Sequence, residues 1–245
     1  MIAAVRSEWI KFRTLTSSWV MVGLALGIPL IIVVLTSSFA DGYIRSDDMA
    51  VLIAGTGVVS ALLLGTVGIL SITSEFGTNT IRPTFAALPD RWRPLLAKPA
   101  VQVTVTVVVM ATIVVLGWIG GSAIADGDQS LGDDGVGAVL VGILVLAVLL
   151  TVGGYGLGLL VRNTPVAICI LLLWPLLVEG ILAGLFDVAG WDGLVRWLPY
   201  QAGFNLIEVD PSPDRLGRVP GGLWFGLWVV VLAGLGMWRT HRRDA

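Results

Sequence analysis

Six long apolar segments that carry almost no charge constrain the fold of this chain more than any other feature of its sequence. Segments of this kind, about 20 residues long, cross the hydrocarbon core of a bilayer as single helices. None of them shows the recurring polar face of a helix from a soluble protein. We therefore predict an all-α integral membrane protein with six transmembrane helices. The predicted spans are Trp19–Phe39, Met49–Ile72, Pro99–Ala125, Val136–Val161, Pro165–Asp187 and Pro220–Trp238.

The basic residues predict the orientation of these spans. With the N-terminus taken as cytoplasmic, the inner segments hold eleven of the 15 lysines and arginines, whereas most acids lie in the outer segments. The positive-inside rule then puts both termini in the cytoplasm, in agreement with an even number of spans. The chain has 13 Arg and two Lys, with abundant Ala, Gly and Val, which is typical of a GC-rich bacterial genome. We expect a multi-pass protein of the bacterial cytoplasmic membrane, with one domain over residues 1–245.

The first 14 residues predict an amphipathic helix that lies in the membrane interface. A basic helix that carries tryptophan on its apolar side is typical of such a location. Its opposite side is polar and carries Lys11. A plain polar lead-in to the first span is the alternative interpretation. The apolar residues recur three or four positions apart and share one narrow arc: Ile2, Val5, Trp9 and Phe12.

The longest inner connection, Thr73–Lys98, predicts a surface for docking another protein. Ser74 followed by Glu75 offers a helix N-cap, and we expect a short helix near Asn79–Leu88 that Pro89 ends. Its surface mixes apolar side chains with an arginine, which a simple linker does not require. A linker nevertheless remains an open alternative. The side chains concerned are Ile81, Arg82, Phe85 and Leu88.

Two outer segments differ in character. Residues 126–135 are acidic and rich in glycine, but they lack the regular aspartate spacing and the closing glutamate of a calcium loop. We interpret them as a solvated loop. The segment Val188–Val219 contains Trp191 and Trp197 in an amphipathic stretch that is too short to span a membrane. We expect that stretch to dip into the outer leaflet or to pack on the ends of the spans.

The residues of an enzyme site are missing from the sequence. The one histidine, His241, lies in the basic C-terminal tail, and the one cysteine is Cys169. These residues cannot form a histidine-assisted nucleophile or a zinc site of the usual kind. There is no phosphate-binding loop of the type G-x-x-x-x-G-K-[ST]. We therefore predict no catalytic residues, no metal and no cofactor in this chain, and no nucleic-acid partner.

Within the predicted spans, Glu179 is the one clear charge. An ionisable residue in a membrane is costly and suggests a function at a cavity or a partner. It follows Pro175, which frees a backbone carbonyl, and precedes Gly180. A carboxyl group hydrogen-bonded to a neighbouring helix for structural reasons is an equally good interpretation. Pairs of small residues four positions apart also predict close helix approach: Gly23/Gly27, Gly117/Gly121, Gly154/Gly158 and Gly180/Gly184.

The layout resembles the membrane subunits, or permeases, of ABC-2 type transporters, particularly the six-span permeases of actinobacteria. The resemblance covers essentially the whole chain, and its most specific part is the pattern S-E-[FY]-x-x-x-T-I-R. Three segments carry it: Ser7–Arg13 (SEWIKFR), Ser74–Thr84 (SEFGTNTIRPT) with Pro89-Asp90-Arg91, and Trp197–Gly203 (WLPYQAG).

The resemblance implies an interfacial elbow helix at residues 1–14, a cytoplasmic coupling helix within residues 73–98, and outer re-entrant helices within residues 188–219. It implies a separate ATPase subunit that binds ATP and Mg²⁺, and a second permease chain, identical or related. The residues implied to contact the ATPase are Glu75, Phe76, Thr80, Ile81, Arg82, Phe85 and Arg162. Those predicted along the substrate path or at its gate are Glu179, Trp191 and Trp197.

The predicted function is therefore that of a permease subunit in an ATP-driven exporter. A secondary transporter is the main alternative, but such transporters often contain inverted repeats. Here the inner connections are unlike, with 26 residues in one and about three in the other. A membrane scaffold that binds a partner without transport is a third possibility.

Overall fold

In the computed structural model, residues 2–40, 43–78, 92–127, 129–210, 212 and 214–243 are described. Every regular element in these ranges is helical, and no strand occurs in them. Six helical segments are long and apolar enough to cross a membrane, as predicted. In chain order the α-helices are α1 (Ile2–Thr14), α2 (Thr16–Phe39), α3 (Ser46–Gly77), α4 (Trp92–Ile124), α5 (Val136–Val161), α6 (Thr164–Leu173), α7 (Gly180–Val188), α8 (Pro199–Phe204) and α9 (Arg218–Arg243).

Helices α3 and α5 form the centre of the bundle. They are the most buried of the membrane-capable helices and pack along each other, with α2 and α4 on one side and α6 and α9 on the other. Glycine permits this close approach, because a Cβ atom at Gly154 would overlap the backbone oxygen of Gly65. A Cβ at Gly158 would lie 2.6 Å from Cγ2 of Ile72. The core is thus held by direct backbone contact between two helices.

The predicted small-residue pairs divide into two kinds. Gly154/Gly158 meets α3 directly, and a Cβ at Gly121 of the pair Gly117/Gly121 would lie 2.6 Å from the sulfur of Met49. A Cβ at Gly23, Gly27, Gly180 or Gly184 would meet nothing within 4 Å among the residues that the structure describes. Close helix approach is therefore present at two of the predicted pairs, and for the other two it stays a prediction.

Helix α4 begins at Trp92, seven residues before the predicted start at Pro99. Proline lacks an N–H group, so Pro99 leaves the carbonyl of Leu95, four residues earlier, without its helical partner. The hydroxyl of the fully buried Tyr155 donates a 2.9 Å hydrogen bond to that carbonyl. Because a side chain from α5 replaces the missing bond, the helix continues through the proline. The helix therefore extends seven residues beyond the predicted start of the span, and the place where it enters the membrane stays a prediction.

A second proline is accommodated in the same way. Pro29 lies inside α2 and frees the carbonyl of Ala25. Ser60 Oγ, on α3, donates a 2.6 Å hydrogen bond to that oxygen. At Pro175 the helix instead widens into a π-helical segment, Trp174–Glu179, which joins α6 to α7. The fifth predicted span is therefore one continuous helical segment with a wide turn in its middle.

Between α7 and α9, the residues that the structure describes form three short helices that pack against the bundle. A 3₁₀ helix, Asp192–Trp197, precedes α8, and a second, Asn205–Ile207, follows it. A Cβ at Gly142 of α5 would overlap the backbone oxygen of Leu206, so the chain lies in direct contact with α5. Leu206 lies beyond the amphipathic stretch that contains Trp191 and Trp197, so the location of that stretch in the outer leaflet or on the ends of the spans stays a prediction.

Candidate functional site

Four charged side chains from three helices form an ion network at one end of the bundle. We call this end the basic end; it contains α1, the last turn of α3 and the first turns of α4. The ammonium of Lys11 lies 2.7 Å from Glu8 Oε1 and 2.9 Å from Glu75 Oε1. The ammonium of Lys98 lies 2.5 Å from Glu8 Oε2 and 2.9 Å from the same Glu75 oxygen. Each lysine therefore contacts both carboxylates.

Because three of these four side chains are largely buried, the equal number of positive and negative charges in the network matters for the stability of the fold. The side chains of Glu8 and Lys98 are each 6% exposed, and Glu75 is 12% exposed. A buried charge is costly unless an opposite charge and hydrogen bonds compensate it. Burial alone would lower the pKa of Lys11, but its hydrogen bonds to Glu8 and Glu75 and their negative charges raise it above the usual 10.5. Lys11 is therefore charged at neutral pH.

The network ties α1 to both sides of the segment 79–91. Glu75 lies four positions before the first residue of that segment, and Lys98 lies seven positions after its last residue. Glu8 and Lys11 lie on one side of α1, because residues three apart on a helix are neighbours. A displacement of either end of the segment is thus resisted by the same charged contacts. The mechanical connection runs from α3 and α4 to the first helix of the chain.

Lysine is suited to this arrangement. Its compact ammonium has three rotatable N–H donors and can bridge two carboxylates, whereas the planar guanidinium of arginine fits one carboxylate in a fork. The chain has only two lysines among its 15 basic residues, and both are in the network. The sequence patterns do not predict Glu8 and Lys98 as site residues. The rarity of lysine in an arginine-rich chain is the signal that could have found them.

A cleft of about 430 Å³ opens beside the network and is lined by α1, the start of α2, α3 and α4. Its walls are apolar at Phe12, Leu15, Val67 and Leu70. The rest of the lining is polar and includes all four residues of the network: Glu8, Lys11, Thr14, Ser17, Ser18, Ser71, Ser74, Glu75, Thr78, Lys98 and Gln102.

A second set of contacts joins the remaining helices at the basic end. Arg162 has a left-handed backbone, with a φ angle of 56° that ends α5, and its guanidinium lies 4.5 Å from the ring centre of Phe76. Thr164, at the start of α6, donates a 2.8 Å hydrogen bond to Thr73 on α3. Arg239 of α9 donates a 2.8 Å bond to the carbonyl of Leu160. The ends of α3, α5, α6 and α9 are therefore linked to one another.

Only some of the residues predicted to contact an ATPase lie within the described part of the chain, and these have different surroundings. Phe76 and Arg162, predicted separately, contact each other. Glu75 points into the ion network and is largely buried, so it is not a surface side chain. The predicted helix near Asn79–Leu88 and four of these residues lie outside the described residues: Thr80, Ile81, Arg82 and Phe85.

The helix predicted at residues 1–14 is present as α1, and only Phe12 of its predicted apolar arc is fully buried. Ile2 and Trp9 are exposed, whereas Glu8 is buried against the bundle and Lys11 on the predicted polar side reaches the network. A single extended residue, Leu15, separates α1 from α2. The buried side of α1 combines Ala4, Glu8 and Phe12, and the two lysines of the network provide partners for the buried charge of Glu8.

At the opposite end of the bundle, Glu179 joins the π-helical segment to α8. Its Oε1 accepts hydrogen bonds from the indole of Trp174 (3.2 Å) and the backbone N–H of Tyr200 (3.0 Å). Its Oε2 accepts one from the backbone N–H of Gln201 (3.0 Å). Glu179 is completely buried. Because all three partners are donors, the carboxylate fixes the first turn of α8 to the fifth span. Its part in transport stays a prediction.

The two predicted tryptophans lie near this junction. Trp191 is 60% exposed and Trp197 45% exposed. The ring of Trp197 meets that of Trp224 edge to face at 5.4 Å, and the Trp224 indole donates a 2.9 Å hydrogen bond to the Trp197 carbonyl. Trp197 therefore connects the short helices to α9, while Trp191 presents its ring to the surroundings.

Among the described residues, no group of three or more His, Cys, Asp or Glu side chains is arranged to hold a metal ion. No protein-family model matches the sequence, and no curated protein is significantly similar to it.

Proposed function

We propose that this chain is the permease subunit of an ATP-driven ABC-2 exporter, which moves a substrate outward across the bacterial cytoplasmic membrane. The ion network carries the proposal. It connects both flanks of segment 79–91, where the sequence predicts the ATPase contact, to α1, for which the sequence predicts a location at the membrane interface. A rigid charged connection at that place suits a protein whose work is to transmit force from a partner into its spans.

In this proposal the basic end is cytoplasmic, α1 is the elbow helix, and segment 79–91 forms the coupling helix. When the ATPase moves the coupling helix, the network makes α1, α3 and α4 move together. The contact between Phe76 and Arg162 transmits the motion to α5 and α6. ATP and Mg²⁺ bind to the ATPase, and this chain supplies no catalytic residue.

The opposite end would act as the outer gate. Glu179 holds α8 to the fifth span, so a change in the π-helical segment would displace α8 and the short helices around it. Trp191 and Trp197 lie on these helices or next to them and would border the exit. The path itself is assigned to a dimer of permeases. Open space beside Gly23, Gly27, Gly180 and Gly184 leaves room for a second chain to approach α2 and α7 closely.

Co-purification and ATP hydrolysis test the proposal. The chain is co-expressed with candidate Walker-motif ATPases of its own host, and any complex that forms is reconstituted into lipid nanodiscs. We expect the two proteins to purify together and the permease to stimulate ATP hydrolysis. Arg82→Glu should abolish co-purification, whereas Glu75→Gln should preserve it and reduce the stimulation. Arg13→Gln, an exposed basic residue of α1, is the matched control and should change neither. Transport driven by an ion gradient without nucleotide would contradict the proposal and favour a secondary transporter.

A further inference from the structure

The cleft beside the ion network has one charged wall and one apolar wall. All four residues of the network, Glu8, Lys11, Glu75 and Lys98, contribute to the charged wall, and Phe12, Leu15 and Leu70 contribute to the apolar wall. Its volume of about 430 Å³ lies within the range of small-molecule sites, roughly 300–1,000 Å³. An amphiphilic molecule with a charged head would match both walls.

The network leaves one donor and one acceptor unused at the cleft. The Lys11 ammonium has three N–H groups, and the described residues accept hydrogen bonds from it only at Glu8 and Glu75. Both lysines contact Glu75 through Oε1, and no described residue donates a hydrogen bond to Glu75 Oε2. Because Lys11 contacts the other oxygen of the same carboxylate, the free donor and the free acceptor are adjacent.

An adjacent cation and anion of this kind are complementary to a zwitterion. We propose that the cleft binds the phosphoethanolamine headgroup of a membrane phospholipid, with its phosphate on Lys11 and its primary ammonium on Glu75. A phosphate accepts a charge-assisted hydrogen bond from lysine, and a primary ammonium donates one to a carboxylate. A choline headgroup has no N–H to donate, and a glycerol headgroup has no positive charge. The cleft should therefore select among phospholipids.

Two hydroxyl groups support the phosphate position. Ser17 and Ser74 line the cleft, and neither hydroxyl bonds another of the described residues. The lipid tail would follow Phe12, Leu15 and Leu70 towards the spans. The proposal depends on insertion of the six spans in a membrane. It does not depend on the proposed ATPase partner.

Lipid retention in native mass spectrometry tests this site. The purified full-length chain is given an equimolar mixture of phosphatidylethanolamine, phosphatidylcholine and phosphatidylglycerol with identical acyl chains. We expect about tenfold preferential retention of phosphatidylethanolamine, the effect of one charge-assisted hydrogen bond. Glu75→Gln should abolish the preference. Ser74→Phe, at an exposed position, should abolish it by filling the cleft while leaving all four charges in place. Arg13→Gln is the control and should retain it.

The remaining outcomes are equally decisive. Soluble glycerophosphoethanolamine at the same concentration should not displace the lipid, because it lacks the acyl chains that the apolar wall contacts. Displacement would contradict the role of that wall. Equal retention of the three lipids, or preference for the anionic one, would overturn the assignment of Glu75 to the ammonium. A preference for phosphatidylethanolamine that survives in Ser74→Phe would show that the lipid binds elsewhere.

Discussion

Lys98 and Glu8 form a buried ion pair, with 2.5 Å between Nζ and Oε2, that joins the first helix of the chain to a residue 90 positions later. Both side chains are almost completely enclosed, and each also belongs to the four-charge network with Lys11 and Glu75. Their contact holds α1 to α4 at the base of the segment proposed to receive the ATPase. Because the charges in the network balance, a substitution that leaves one charge without a partner should destabilise the protein most.

Removal of one charge from this pair should destabilise the protein more than removal of both. Lys98→Met leaves two buried carboxylates with one ammonium, and a broken buried pair costs about 3–5 kcal/mol. The double variant Glu8→Gln/Lys98→Met restores neutrality and should recover much of that loss. Thermal unfolding in detergent, followed by tryptophan fluorescence, measures the effect. Strictly additive effects of the two substitutions would show that the charges do not interact.

The hydroxyl groups of Ser60 and Tyr155 should stabilise the fold only because each bonds a carbonyl that a proline leaves without its helical partner. Ser60→Ala leaves the buried Ala25 carbonyl unpaired and should cost about 1–3 kcal/mol. In the background of Pro29→Ala the restored N–H bonds that carbonyl, so the same substitution should cost much less. Thr56→Ala is the control, because Thr56 bonds a carbonyl of its own helix. An equal cost of Ser60→Ala in both backgrounds would refute this account of the proline.

Substitution of Glu179 should release α8. In Glu179→Leu all three hydrogen bonds are lost, and in Glu179→Gln the amide NH₂ faces backbone donors. Hydrogen exchange over residues 199–204 should accelerate by about tenfold or more in the Gln variant, and further in the Leu variant. Asp187→Asn, at an exposed position of α7, is the control. Unchanged exchange in both Glu179 variants would show that the carboxylate does not hold α8.

The same two variants separate the structural and transport roles of Glu179. If it acts at the outer gate, both should lose export while the amount of folded protein and assembly with the ATPase stay normal. A silent Gln variant together with a poorly folded Leu variant would identify Glu179 as a purely structural residue.

The contribution of Lys11 to stability should depend on pH in the alkaline range. The pKa of Lys11 is raised in the folded protein, so its stabilising effect is fully present below the unfolded value of about 10.5. The effect is lost as the pH rises through the folded pKa. The difference in melting temperature between the wild type and Lys11→Gln should be constant from neutral pH to that value and then shrink. A difference that shrinks near neutral pH would contradict the charged state of Lys11.

The sequence predicted the six spans because hydropathy and length reflect the solvent around a helix, whatever its neighbours. It did not predict the start of α4 at Trp92, because the bond that compensates for Pro99 comes from Tyr155 on another helix. Rules based on the sequence alone treat a proline as the boundary of a helix. Only a contact from another helix shows that the helix continues through it.

The candidate site was predicted only in part, for a related reason. The location beside the inner connection and the residues Glu75 and Arg162 follow from the sequence. The pairing of Glu8 with Lys98 depends on α1 turning its charged side towards the bundle, and no local pattern specifies that rotation. The role of Glu179 was left between two interpretations, because the donors that it meets lie about 20 residues further along the chain.

Site-specific photo-crosslinking from position 81 tests the central claim most directly. A photoreactive amino acid replaces Ile81 in the full-length chain, expressed in its own host, and the products are identified by mass spectrometry. The same substitution at Leu131, an exposed residue at the opposite end of the bundle, is the control. We expect crosslinks from position 81 to an ATPase subunit with Walker motifs, and none to that subunit from position 131. Crosslinks from position 81 that never reach an ATPase would contradict the account.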